Sequence, residues 1–146
     1  MQKSEGSVII HIPIETVFNA VADPEEMTHY VSSALAGFGG KSGELESYAE
    51  WTYPVAGMKL NARTTVSEVE KPYRLIQEMT GAMKGKWTWN LEQEEQDTKV
   101  DYCIEYNVPG GILGKVADAL FLGRMNRKNL EKTLLALKAY CENEEL

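Results

Sequence analysis

From Leu45 to Val108 the chain alternates apolar and polar residues in successive runs, and beyond Pro109 the period changes. Leu45 to Val55 alternates through Ala49, Trp51, Tyr53 and Val55, and Met58 to Val69 through Met58, Leu60, Ala62, Thr64 and Val66. Thr98 to Val108 does the same through Val100, Tyr102, Ile104, Tyr106 and Val108. A period of two sends alternate side chains to opposite faces, so each run predicts a half-buried β-strand. Arg74 to Thr80 and Lys86 to Leu91 add two more strands. Pro54-Val55-Ala56-Gly57, Lys71-Pro72-Tyr73, the Gly81 to Gly85 connection and the acidic Glu92 to Asp97 supply the turns. Upstream, Ser7 to Ile12 is a first strand rich in β-branched residues. Pro13 ends it and opens a short helix whose inward face is Val17, Phe18 and Val21. A second short helix runs from Asp23-Pro24-Glu25-Glu26 to about Val31. Asp23 is its cap, Pro24 its first residue, and Glu26 the partner in a capping-box pattern. Gly37 to Gly43 holds four glycines in seven residues. Without the strand-to-helix setting of a phosphate loop, it reads as a flexible turn region.

After Pro109 the apolar residues recur every three or four positions: Leu113, Val116 and Leu120, then Leu130, Leu134, Leu137 and Cys141. That spacing is one face of a long helix, and the β-rich middle is the surface available to cover it. Its front half, around Ile112, Ala117, Ala119, Phe121 and Leu122, is apolar on nearly every side apart from Lys115 and Asp118. The back half is amphipathic, with Arg127, Lys128, Lys132 and Lys138 off the stripe or at its edge. Gly123 and Asn126 at the join are weak helix formers, a helical glycine costing roughly 1 kcal/mol relative to alanine. They mark either a close approach to the sheet or a bend that turns the front half into a wall or lid. Strands gathered in the middle and helices kept apart define an α+β domain. The expectation is an antiparallel sheet of about six strands wrapped around the C-terminal helix, in a single domain over residues 1–146.

Charge and composition narrow the partners. A formal charge of −7 argues against a general nucleic-acid binder, which needs a basic surface. Between Pro109 and Cys141 six Lys or Arg face only two acids. A solvated helix face explains this, and an anionic ligand group or an acidic partner surface is the sharper reading. No apolar run approaches the roughly 20 residues that span a bilayer, and the opening residues lack the apolar core of a signal peptide. The expectation is a soluble, cytoplasmic protein without stable membrane insertion. Cys103 and Cys141 are too few and too far apart for a disulfide framework or a zinc module. His11 and His29 sit in no metal-ligand or nucleophile pattern, so neither a metal nor a catalytic triad is expected. Glu50, Glu78 and Glu105 alternate with the apolar face of their strands and point to its polar side.

The order of strand, two short helices, meander and long helix meets specific residues. Ile12-Pro13-Ile14-Glu15-Thr16-Val17-Phe18 with Asp23-Pro24-Glu25 resembles the opening of the START-like (SRPBCC) superfamily. That superfamily includes polyketide cyclase/dehydrase and coenzyme Q-binding proteins. Gly85 to Leu91, Thr98-Lys99-Val100, and Tyr106 to Gly111 entering the helix are similar to its later elements. The resemblance covers about Val8 to Tyr140. It implies a helix-grip fold with an apolar cavity between a curved sheet and the helix. It also implies binding of lipids, sterols, quinones, polyketides or plant hormones, with a minority of members catalysing cyclisation or dehydration. The superfamily has no universal catalytic residues, and none is carried over.

The aromatic set locates the cavity. Trp51, Tyr53, Trp87, Trp89, Tyr102 and Tyr106 share the parity of the apolar residues on their strands, as do Met58, Leu60 and Met79. Some of these are simply core; others line a pocket where indole N–H and phenol O–H groups orient a mostly apolar ligand. The expected lining is Trp51, Tyr53, Met58, Leu60, Met79, Trp87, Tyr102 and Tyr106 from the sheet, with Leu113, Val116 and Leu120 from the helix. An empty, dry pocket of about 300 Å³, at roughly 24 cal/mol per Å³, would cost roughly 7 kcal/mol. Against a typical stability of about 5–15 kcal/mol, that predicts a filled or half-filled space. The expected function is binding or transport of a small hydrophobic or amphipathic molecule without a cofactor. The alternative is a cyclase/dehydrase-type enzyme using a tyrosine or carboxylate in the same cavity. A protein partner docking on the front half of the last helix is a third reading.

Overall fold

The computed structural model describes residues 2–31, 33–55, 58–107 and 119–144. The order is β1 (Gln2–Ile10), α1 (Ile14–Ala22), α2 (Pro24–Met27), β2 (Ala34–Gly39), β3 (Tyr48–Val55) and β4 (Met58–Glu70). Then follow β5 (Arg74–Gly81), β6 (Lys84–Glu94), β7 (Asp97–Asn107) and α3 (Ala119–Glu144). The strands form one curved antiparallel sheet in the order β1-β7-β6-β5-β4-β3-β2. The meander from β2 to β7 is sequential, and β1 closes the far edge against β7. Register shifts between Leu35 and Gly37 in β2, and between Val66 and Glu68 in β4, mark bulges. Such bulges bend strands and raise their twist.

The register gathers one uncharged face. Trp51 pairs with Ala62, Thr64 with Met79, Gln77 with Trp87, Trp89 with Tyr102, and Val100 with Val8. These residues share the inner side of the sheet, and α1 closes one end of it with Ile14, Val17, Phe18 and Val21. Leu130, Leu134, Leu137 and Cys141, the predicted stripe of α3, are buried in the same core. Each of these leucines contributes about 1.5–3 kcal/mol by leaving water. α3 comes closest at β1: a Cβ on Gly6 would lie 2.9 Å from Leu130 Cδ2 and 3.3 Å from Leu134 Cδ1. The helix runs unbroken through Gly123 and Asn126, and most of the front half, on which the bend reading rests, lies outside the described residues.

The structure differs from the sequence expectation in five places, the first being the second short helix, expected to run to about Val31, which ends at Met27. There are seven strands among the described residues, where about six are expected: Ala34–Gly39 is the edge strand β2, so Gly37, Phe38 and Gly39, expected in the flexible turn, pair with β3 instead. Gly39 lies opposite Tyr48 there, and a Cβ would meet the Tyr48 ring at 2.6 Å, so the glycine gives that ring its place. β1 starts at Gln2 and ends at Ile10 rather than spanning Ser7 to Ile12. Its first residues carry little apolar signal but pair along β7, Gln2 with Tyr106 and Lys3 with Glu105. The hairpin between β6 and β7 narrows to Glu95 and Gln96, with Glu95 at φ 58°. Finally, Asp23 caps α2 through the Glu25 N–H at 2.9 Å, but its own N–H donates to Asn19 O at the end of α1. Glu26, freed from the capping box, accepts the Tyr140 hydroxyl at 3.1 Å and ties α2 to α3.

Candidate ligand-binding site

The aromatic residues chosen by parity do converge on the inner face, and packing divides them. Trp51 and Trp89 are closed core: each indole N–H donates to a polar side chain on the neighbouring strand. Trp51 Nε1 reaches Thr64 Oγ1 at 3.1 Å, and Trp89 Nε1 reaches Gln77 Oε1 at 3.3 Å. Trp89 also stacks on Tyr102, with ring centroids 3.6 Å apart and planes 7° from parallel. Met79 is buried beside them. Thr64 and Gln77, absent from the expected lining, satisfy the two indoles. Their parity placed them inward, but polar residues at inward positions give a weak signal without the partner in view.

Towards the β3 and β7 ends the arrangement changes. The Tyr53 and Trp87 rings meet edge to face, 6.4 Å between centroids and 88° between planes. Leu60, partly exposed, lies directly across from Tyr53. Tyr106, next to the last residue of β7, accepts a hydrogen bond from Asn126 Nδ2 at 2.6 Å, which joins this wall to α3. Gly85 sits opposite Tyr106, where a Cβ would collide with the Glu105 carbonyl and the Tyr106 backbone. Leu113 and Val116 lie outside the described residues, as do the side chains of Met58, Leu120 and Leu122. The site is therefore described on its sheet side.

The electrostatics of this wall are those of a nonpolar medium. No described inward position on the sheet carries a charged side chain; Glu50, Arg63, Glu68 and Arg74 pair with each other on the outside. Burial pushes the Tyr53 phenol far above its usual pKa, and it does the same to Tyr102, where the nearby Tyr53 adds to the rise. Tyr106 is raised more modestly by burial, opposed by the Asn126 hydrogen bond. The Tyr53 hydroxyl is the one buried side-chain polar atom among the described residues with no hydrogen-bond partner. The histidines are elsewhere: His11 lies 3.2 Å from Asp97 on the outside, and His29 stacks on Tyr140 with centroids 5.1 Å apart. Among the described residues no three His, Cys, Asp or Glu side chains are grouped to hold a metal ion. Nor is any described helix long and apolar enough to cross a membrane.

A curved antiparallel sheet holding a C-terminal helix against an aromatic inner face defines a START-like helix-grip protein. Residues 1–142 match the family described as polyketide cyclase / dehydrase and lipid transport, and the chain belongs to that family. No curated protein matches it by sequence. Among solved structures it is similar to a conserved protein from Geobacillus kaustophilus, with a TM-score of 0.79 and 15% identity over 97% of this chain and 95% of that one. A START superfamily protein from Mycobacterium smegmatis gives a TM-score of 0.78 at 13% identity, over 98% and 99% of the two chains. A protein from Thermus thermophilus gives 0.75 at 18% identity, over 99% of each. At these identities the likeness is one of fold.

Proposed function

We propose that the protein binds or carries a small hydrophobic or amphipathic molecule, of lipid, quinone or polyketide-like character, on the inner face of its sheet. The observation that carries this reading is the uncharged wall around Tyr53, Trp87 and Tyr106. It offers a ligand apolar area and aromatic edges, with hydroxyls for orientation. Leu60 and Met79 add aliphatic or adaptable surface beside it, and Met58, Leu113, Val116 and Leu120 are kept as proposed lining from the sequence pattern alone. Trp51 and Tyr102 support this wall from the packed side.

The cyclase/dehydrase chemistry named in the family description needs a group that gives or takes a proton near neutral pH. The described sheet wall holds no carboxylate, and burial moves the Tyr53 and Tyr102 pKa values away from neutrality. Binding uses what the wall contains; proton transfer would require what it lacks. Native mass spectrometry after gentle purification, followed by exposure to a panel of hydrophobic metabolites, tests the proposal. An added mass or saturable uptake is expected, and Trp87→Ala should weaken uptake of a fluorescent apolar probe about tenfold or more, as loss of a buried aromatic contact does. A protein that takes up nothing from the panel is not a carrier.

A further inference from the structure

Several buried polar side chains of the core have partners. Trp51 and Trp89 donate to Thr64 and Gln77, Tyr30 Oη donates to Ala20 O at 2.8 Å, and Thr98 Oγ1 donates to Ile12 O at 2.8 Å. Among the described residues the Tyr53 hydroxyl is the one fully buried side-chain polar atom without a partner. The residue as a whole is partly exposed near the end of β3, yet its hydroxyl is shut away from solvent and has no partner. The side chain therefore enters the wall from the rim with its polar tip directed inward, edge-on to Trp87. A phenylalanine would fill the same volume without stranding a donor, and a stranded buried hydroxyl is costly. The hydroxyl makes sense as one half of a hydrogen bond whose other half arrives with the ligand.

We infer that Tyr53 is the specificity-determining anchor of the site, and that the ligand is a neutral apolar molecule presenting a carbonyl oxygen to the Tyr53 hydroxyl. This rests on the carrier reading above and narrows it. A carbonyl accepts the phenol proton and needs no donor in return. A carboxylate would lie against a sheet wall with no cation, where an uncompensated charge is far more costly than a dipole. A pure hydrocarbon would leave the hydroxyl as it is now.

Three probes of one shape separate the cases: 2-acetylnaphthalene, its hydrocarbon isostere 2-isopropylnaphthalene, and the anionic 2-naphthoate, each titrated against the full chain by tryptophan fluorescence. The ketone should bind about 5- to 30-fold more tightly than the hydrocarbon, the range expected for satisfying a buried donor, and the carboxylate should bind weakest. In Tyr53→Phe the ketone should fall to the affinity of the hydrocarbon, with hydrocarbon binding kept. Equal binding of ketone and hydrocarbon by the natural protein overturns the anchor and leaves the carrier standing. So does a Tyr53→Phe variant that loses both probes equally, because Tyr53 is then only wall. Preference for 2-naphthoate overturns the neutral ligand class. Failure of all three to bind removes the anchor, and the carrier falls with it where the metabolite panel also gives no uptake. The comparison of probes on the natural protein needs no variant, so the inference can fail even if the substitution disturbs folding.

Discussion

At the scale of the residue, Tyr53 contrasts with the two indoles beside it. Trp51 and Trp89 have partners within the sheet, and removing either partner would leave a buried donor unmade. Tyr53 lacks one, so Tyr53→Phe removes a cost. The ligand-free variant should gain about 1 kcal/mol of stability, read as a higher urea midpoint at unchanged slope. A loss of similar size would mean that the hydroxyl is bonded in solution. The inward placement of Tyr53 was legible from alternation alone, because side-chain parity is a property of the strand. The isolation of its hydroxyl was not, because burial and hydrogen-bond partners are set by neighbours that the folding of the sheet brings alongside.

At the scale of the element, the strands from β3 to β7 follow from sequence to within a few residues, since long alternating runs and proline or glycine breaks are local signals. β2 escaped because Ala34–Gly39 lacks β-branched residues. It is a strand through its pairing with β3, with the Tyr48 ring over Gly39 and the Arg63 guanidinium 4.0 Å from that ring on its other neighbour. β1 shows the same effect, extended to Gln2 by its ladder to β7. The glycine with the clearest positional demand is Gly85. Gly85→Ala would force a methyl into the Glu105 carbonyl and the Tyr106 backbone. It should cost about 1–3 kcal/mol and displace the wall at Tyr106, lowering probe affinity along with the denaturation midpoint. A variant as stable as the natural chain would show that β6 and β7 lie farther apart than described.

At the scale of the whole molecule, a chain of formal charge −7 keeps charge off the described inner face and fastens its last helix at the sheet edge. Glu142 accepts the His11 N–H at 2.9 Å and Lys138 Nζ at 2.7 Å, while Lys138 also donates to Ile9 O at 2.7 Å. The His11 N–H first, then Lys138, hold the Glu142 carboxyl below its usual pKa. A depressed carboxylate stabilises the fold above its unfolded pKa of about 4.3, and that stability is lost as pH falls through the lower folded value. The natural protein should therefore lose roughly 0.5–1 kcal/mol more than Glu142→Gln on acidification through this window, as measured by urea unfolding at stepped pH. Parallel loss in both would show that the clasp contributes nothing. Local pattern was enough for the class of fold, the uncharged inner face and the residues that share it, because periodicity fixes which side of a strand or helix each residue occupies. The partners were assigned only in the folded chain. Folding paired Thr64 and Gln77 with the indoles, made a strand of Ala34–Gly39, took Glu26 to Tyr140 and left Tyr53 unanswered. Such pairings depend on distances between segments far apart in the chain, which no local pattern encodes.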